Sequence, residues 1–159
     1  MNFELEDLIN ESIRLEKNVG QLYKFFHLNF PEDQDFWWQI YMEEQNHASL
    51  IAGMKHTVLI KKDIPEELFD FAIDDLRATN LLISKLIENY KSQKPERAET
   101  FKTAWKLENT AGEMHIQNIA ESQSDFEMIK IFQKLNADDK DHALRIKAYA
   151  KKVLDLDLN

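Results

Sequence analysis

The 159-residue chain contains no cysteine. That excludes disulfides, thiolate-bound zinc, a cysteine nucleophile, a four-cysteine iron site and cysteine-ligated iron–sulfur clusters, so any metal must be held by histidine and carboxylate. Turn-formers are nearly as scarce, and three glycines and three prolines are too few for the tight connections of a sandwich, a barrel or a doubly wound sheet. No run approaches the roughly 18 apolar residues of a membrane span. Met1-Asn2-Phe3-Glu4-Leu5-Glu6 has no basic segment, so no signal peptide is expected either. Lys/Arg-rich runs are also missing, and a net charge of −9 argues against a nucleic-acid partner. The expectation is a cytoplasmic protein.

What is present has the balance of long soluble helices, with 43% hydrophobic and 31% charged residues. One all-α domain over residues 1–159 is expected. Asn29-Phe30-Pro31, Lys62-Asp63-Ile64-Pro65 and Gln93-Lys94-Pro95 each place a proline where a helix can begin, because the first turn needs no proline N–H. Asp63-x-x-Glu66 and Ser124-x-x-Glu127 read as capping boxes. Five helices follow, over residues 3–28, 32–60, 65–92, 96–122 and 125–154.

Each segment has a seam with the spacing of a core-facing helix. The first includes Leu5, Ile9, Ser12, Glu16, Val19, Tyr23 and Phe26, and the second Trp37, Ile40, Glu44, His47, Ile51 and Met54. The fourth reads Phe101, Ala104, Trp105, Glu108, Ala111, His115 and Ile119, and the fifth Ile129, Phe132, Asn136, Asp139, His142 and Ile146. Four seams therefore carry a carboxylate near the middle. The third is apolar around an uncharged centre at Thr79 and Asn80, which reads as packing.

An internal repeat links the halves. Arg14-Leu15-Glu16 followed by Gly20 recurs as Lys106-Leu107-Glu108 followed by Gly112, and Glu44-x-x-His47-Ala48 recurs as Asp139-x-x-His142-Ala143. Residues three apart share a helix face, so each Glu/Asp-x-x-His pair can aim an oxygen and an imidazole nitrogen at one spot. With Glu16 and Glu108 the inventory is four carboxylates and two imidazoles, the ligand pattern of dinuclear carboxylate bundles. Two iron or manganese ions would cancel a charge that is expensive to bury alone. Glu43, Asp138 and Asp141 flank the motif at angles that turn them away from the seam, and read as a solvated acidic face.

On these segments, above all Arg14-Leu15-Glu16-Lys17-Asn18-Val19-Gly20-Gln21-Leu22-Tyr23 and Glu43-Glu44-Gln45-Asn46-His47-Ala48, the chain resembles the ferritin-like superfamily and within it the rubrerythrin-type proteins. The resemblance implies a four-helix bundle with a crossover, here helical between the two helix pairs. It implies that Glu44 and Asp139 bridge two metals, while Glu16 with His47 and Glu108 with His142 complete opposite sites. Tyr23 matches the family's tyrosine beside the di-iron site, and His115 stands at the equivalent place after Glu108. Three departures narrow the likeness. Without cysteine there is no rubredoxin domain, so electrons come from an external donor. Trp105 and Ala111 stand three residues either side of Glu108, where the family's second glutamate would be needed for its redox-linked ligand swap. Asp139 is one methylene shorter than the usual glutamate.

The implied function is reduction of peroxide or oxygen, in a chain read as a homodimer. The alternatives are a ferroxidase that handles iron and a metal-free helical interaction module.

Overall fold

A computed structural model describes residues 3–61, 73–114 and 127–159. Among the described residues there is no strand, and five helices carry the fold: α1 (Phe3–Asn29), α2 (Gln34–Lys61), α3 (Ile73–Ser92), α4 (Arg97–Met114) and α5 (Glu127–Leu154). The all-α expectation holds. The first capping box, Ser124 of the second and the start of the third expected helix lie outside the described residues.

Proline acts slightly differently from the expectation at the first connection. Pro31 opens a short 3-10 turn (Pro31–Asp33) that runs straight into α2 at Gln34, rather than starting the α-helix itself. The turn is closed by the Asp33 N–H donating to the Phe30 carbonyl at 3.0 Å. Within it Asp33 is buried, and both its oxygens accept hydrogen bonds from Arg97 on α4, at 2.6 and 2.7 Å. This fork ties the α1–α2 connection to the start of α4.

Contacts fix the helix directions. α1 and α2 are antiparallel, with Lys55 beside Glu6 at one end and Tyr23 stacked on Trp37 towards the other. α4 and α5 are also antiparallel, as Phe101 meets Tyr149 and Glu108 meets His142. α3 runs parallel to α1, from the Asp7–Arg77 pair to the stacking of Phe25 on Tyr90. Its buried Asn80 accepts a bond from Asn18 at 2.9 Å and donates to Glu11, satisfying the uncharged centre of that helix.

The core is split in two. One apolar cluster includes Val19, Tyr23, Phe26, Trp37, Ile40, Phe101, Ala104, Ile146 and Ala150. The other comprises Leu5, Ile9, Ile51, Met54, Ile129, Phe132 and Leu135. Along α1, α2 and α5 a polar stretch separates the two: Ser12 and Glu16, then Glu44 and His47, then Asn136, Asp139 and His142, all buried, and Glu108 on α4 joins the same level. Such a layer survives only because apolar burial on both sides, worth about 25 cal/mol per Å², holds the helices together around it.

The Asp33–Arg97 fork makes a first test. Arg97→Ala leaves a buried carboxylate without its cation and should destabilise the fold by about 2–3 kcal/mol in urea titrations. Lys94→Ala, which removes a surface bond to the Asn29 carbonyl and the approach of the ammonium to the Phe30 ring at 4.5 Å, should shift stability by less than about 1 kcal/mol.

Candidate metal centre

The six residues singled out on the four carboxylate-bearing seams come together. Glu16, Glu44, His47, Glu108, Asp139 and His142 are all buried, none more than 3% exposed. Single potential ligand atoms from Glu44, Glu108, Asp139 and His142 lie within 4.8 Å of one another, and so do single atoms from Glu16, Glu44 and His47. Glu44 belongs to both groups. The shorter Asp139 belongs to one, with its Oδ1 4.0 Å from His47 Nδ1 on the other side.

Close approach of α1 and α2 makes this convergence sterically feasible. A Cβ on Gly20 would stand 3.3 Å from Glu44 Cβ and 2.7 Å from the far end of Gln45, so a glycine one turn beyond Glu16 leaves room for Glu44 against α1.

The two imidazoles are stacked, with centroids 5.5 Å apart and planes at 19°. Both turn Nδ1 inward. His47 Nδ1 is 3.4 Å from Glu16 and from Glu44, and His142 Nδ1 is 2.9 Å from Glu44 and 3.5 Å from Glu108. These are ion-pair distances without hydrogen-bond alignment. Among the described residues His47 Nδ1, His142 Nδ1, Glu44 Oε1 and Asp139 Oδ2 are buried with no hydrogen bond of acceptable geometry. Several orphaned atoms facing one another in a buried layer are unusual for a folded core.

The outer nitrogens find partners that the sequence reading had turned towards water. His142 Nε2 is 2.7 Å from Glu43, and His47 Nε2 is 3.3 Å from Asp138. Glu43 is gripped in turn by both terminal nitrogens of Arg145, and Asp138 by Lys134. The solvated-face expectation is therefore corrected for Glu43 and Asp138, which are only about one-third exposed. Each reaches across the α2–α5 contact to the other helix's histidine, a direction that the angular position on its own helix does not reveal. Asp141 does remain on the solvent side, paired with Arg145. A carboxylate on one nitrogen of a neutral imidazole fixes its tautomer and turns the opposite lone pair to the interior.

Tyr23 is wholly buried, and its hydroxyl donates a short hydrogen bond to Glu108 Oε1. Burial and the Glu108 charge push its phenol well above the usual value. His115 lies outside the described residues. A surface cavity of about 310 Å³, lined by His47, His142, Asn46, Glu43, Asp138 and Arg145 among others, opens over the outer edges of the two rings.

Electrostatics record the crowding. Burial and the Glu108 charge raise the Glu44 carboxyl to about 7, and burial with Glu108, Glu16 and Glu44 pushes Asp139 well above the normal carboxylate range. Burial opposes charge on the histidines, but Glu16 and Glu44 overcome it and raise His47 to about 10, while Glu108 and Glu44 raise His142 to about 12. Without another cation the layer therefore holds its acids together by retaining protons.

Comparison with protein-family models, curated proteins and solved structures returned no match for this chain. No helix among the described residues is long and apolar enough to cross a membrane.

The pKa shifts fix the sign of a pH effect. All four groups bind protons more tightly when folded, so their contribution to stability is complete below the unfolded pKa values and is lost as pH rises. The loss runs from 4.5 to about 7 for Glu44 and from 6.5 to about 10 for His47. The melting temperature of chelator-treated protein should fall between about pH 5 and about pH 9. A Tm that stays level or rises across that interval contradicts the proton-retaining layer.

Proposed function

We propose that this chain is a ferritin-like di-iron or di-manganese carboxylate protein that reduces peroxide or oxygen, in the manner of rubrerythrins but with an external electron donor. The observation that carries the reading is the set of six enclosed side chains, four acids and two imidazoles whose Nδ1 atoms point into one shared space where several buried polar atoms lack a hydrogen-bond partner. Two divalent cations would balance the four carboxylates and replace the retained protons.

In this reading Glu16 and His47 would hold one ion and Glu108 and His142 the other, with Glu44, which belongs to both groups, and Asp139 completing the set. Two adjacent redox metals supply a two-electron reduction without releasing a radical. The protein's contribution is the rest. Glu43 and Asp138, each beside the outer nitrogen of one imidazole, would hold that ring in the tautomer that frees Nδ1 once a cation displaces its proton. Tyr23 holds Glu108 by its hydroxyl. The apolar clusters flank the layer on either side, and the cavity over the histidine rings lies between α2 and α5.

Metal titration tests the proposal. Anaerobic addition of ferrous or manganous ion should load about two ions per chain, release protons, and raise the melting temperature by an amount equivalent to about 2.7 kcal/mol at a hundredfold excess over Kd. His47→Ala with His142→Ala should abolish loading. Stopped-flow oxidation of the ferrous protein should be faster with peroxide than with oxygen, and the reverse order would favour the ferroxidase alternative. A chain that takes up neither metal, with unchanged stability in the double variant, would be the helical interaction module instead.

A further inference from the structure

We propose that the outer face of α4 and α5 is the docking surface for an acidic electron-carrier protein. The inference rests on the proposed function for what the carrier delivers, while the face itself is a feature of charge and exposure.

The chain has a net charge of −9, yet α5 presents the opposite sign to solvent. Lys130, Lys134, Lys140, Lys147, Lys151 and Lys152 are exposed along it, against Asp141 as its one exposed acid among the described side chains. On α4, Lys102 and Lys106 are exposed as well. The antiparallel register that joins Phe101 to Tyr149 and Glu108 to His142 sets Lys106 level with Leu144 and Lys102 level with Ala148. Lys140 and Lys147 lie one turn before and one turn after Leu144 on its own helix. Leu144, 67% exposed, therefore stands among lysines from both helices.

Nothing within the chain uses these charges. Lys102, Lys106, Lys140 and Lys147 make no ion pair or hydrogen bond among the described residues. The acids at the edges of the face are already taken, Asp141 by Arg145, and Asp155 and Asp157 by Lys151. Glu99, exposed in the first turn of α4, lies at the end of the face, two turns from Lys106. A leucine alone on a surface means little. Inside a rim of like, unpaired charges it has the anatomy of a protein contact, an anchor that loses water surrounded by groups that steer a partner of opposite sign.

Charge complementarity selects an acidic partner, and the patch selects a compact protein. One large apolar side chain is too little to insert into a bilayer. The extended negative field of a membrane or nucleic acid would also meet the rest of an acidic chain, whereas a small protein touches the patch alone.

The face also lies at the level of the buried layer. Leu144 stands two residues from His142, and Lys106 two from Glu108, so the patch covers the outside of the two helices whose inner sides carry Glu108, Asp139 and His142. A helix with its side chains is about 10–12 Å across, which brings a docked carrier within about one helix width of those residues. Each encounter passes one electron inward and leaves the carrier oxidised by one electron. Two encounters supply the two electrons that, with two protons from solvent, convert one peroxide to two waters.

Titration calorimetry on the full, metal-free chain tests the face without the metals. A plant-type ferredoxin and a flavodoxin, both acidic, should bind with Kd of order micromolar at low salt, as transient redox contacts do, and at least about tenfold more weakly at about 300 mM salt. Basic cytochrome c and phosphatidylglycerol vesicles should not bind. Lys106→Glu with Lys147→Glu should weaken carrier binding by at least about tenfold and Leu144→Ser by several-fold, whereas Lys17→Glu with Lys85→Glu, exposed on α1 and α3, should leave it unchanged. Amide shift changes in the unaltered chain should centre on Lys106, Leu144 and Lys147, which covers the case of a variant that does not fold. Failure of both carriers to bind, equal binding by the folded Lys106/Lys147 variant, or equal binding of the vesicles would overturn the docking face whatever the metal content. A chain that binds the carriers and loads no metal would overturn the dinuclear reading and keep the face. In metal-loaded protein, reduction by the reduced carrier should be lost in the Lys106/Lys147 variant while reduction by dithionite is kept, and equal loss of both would overturn the delivery role.

Discussion

The constraint on which the structure turns is the burial of four carboxylates at one level of a helical bundle. Nothing in that layer is apolar enough to hold the helices there by itself, and every added negative charge raises the cost of the next. The two hydrophobic clusters above and below supply the cohesion, and the two imidazoles supply what positive charge the chain itself can bring. The upward shifts of Glu44, Asp139, His47 and His142 are one phenomenon seen at four groups: acids too close to ionise independently share protons with bases that cannot let theirs go. A site of this kind is poised to exchange protons for cations.

Much of this was legible in the residues. The all-α class followed from the scarcity of turn-formers and the helical seams, and the six buried polar residues followed from a carboxylate recurring in the middle of four seams with two histidines three residues on. A periodic argument reports which face a residue takes on its own helix. It says nothing of how far a side chain reaches across an interhelical contact, and so it missed Glu43 and Asp138. The signal that could have found them is the extension of the repeat by one residue, Glu43-Glu44 against Asp138-Asp139. Asp33 was hidden for another reason, since an acid after a proline reads as a solvated first turn, and only its nearness to Arg97 on a distant helix gives it a partner.

The aromatic residues show the same division between what pattern reveals and what contact adds. Trp37 and Phe101 were expected as core layers, and they are. That Trp37 stacks on Tyr23 and meets Phe36 and Phe101, both packed on Tyr149, depends on α1, α2, α4 and α5 meeting at one end of the bundle and cannot be read from any single segment.

The histidine supports have a geometrical consequence of their own. Glu43 on α2 steadies the ring on α5, while Asp138 on α5 stands behind the ring on α2. Reciprocal contact, in which i touches j and j's counterpart touches i's, is the hallmark of isologous association between identical subunits. At its centre this chain is organised like a dimer of two helical hairpins spliced through α3, and neither hairpin holds a fully supported imidazole without the other.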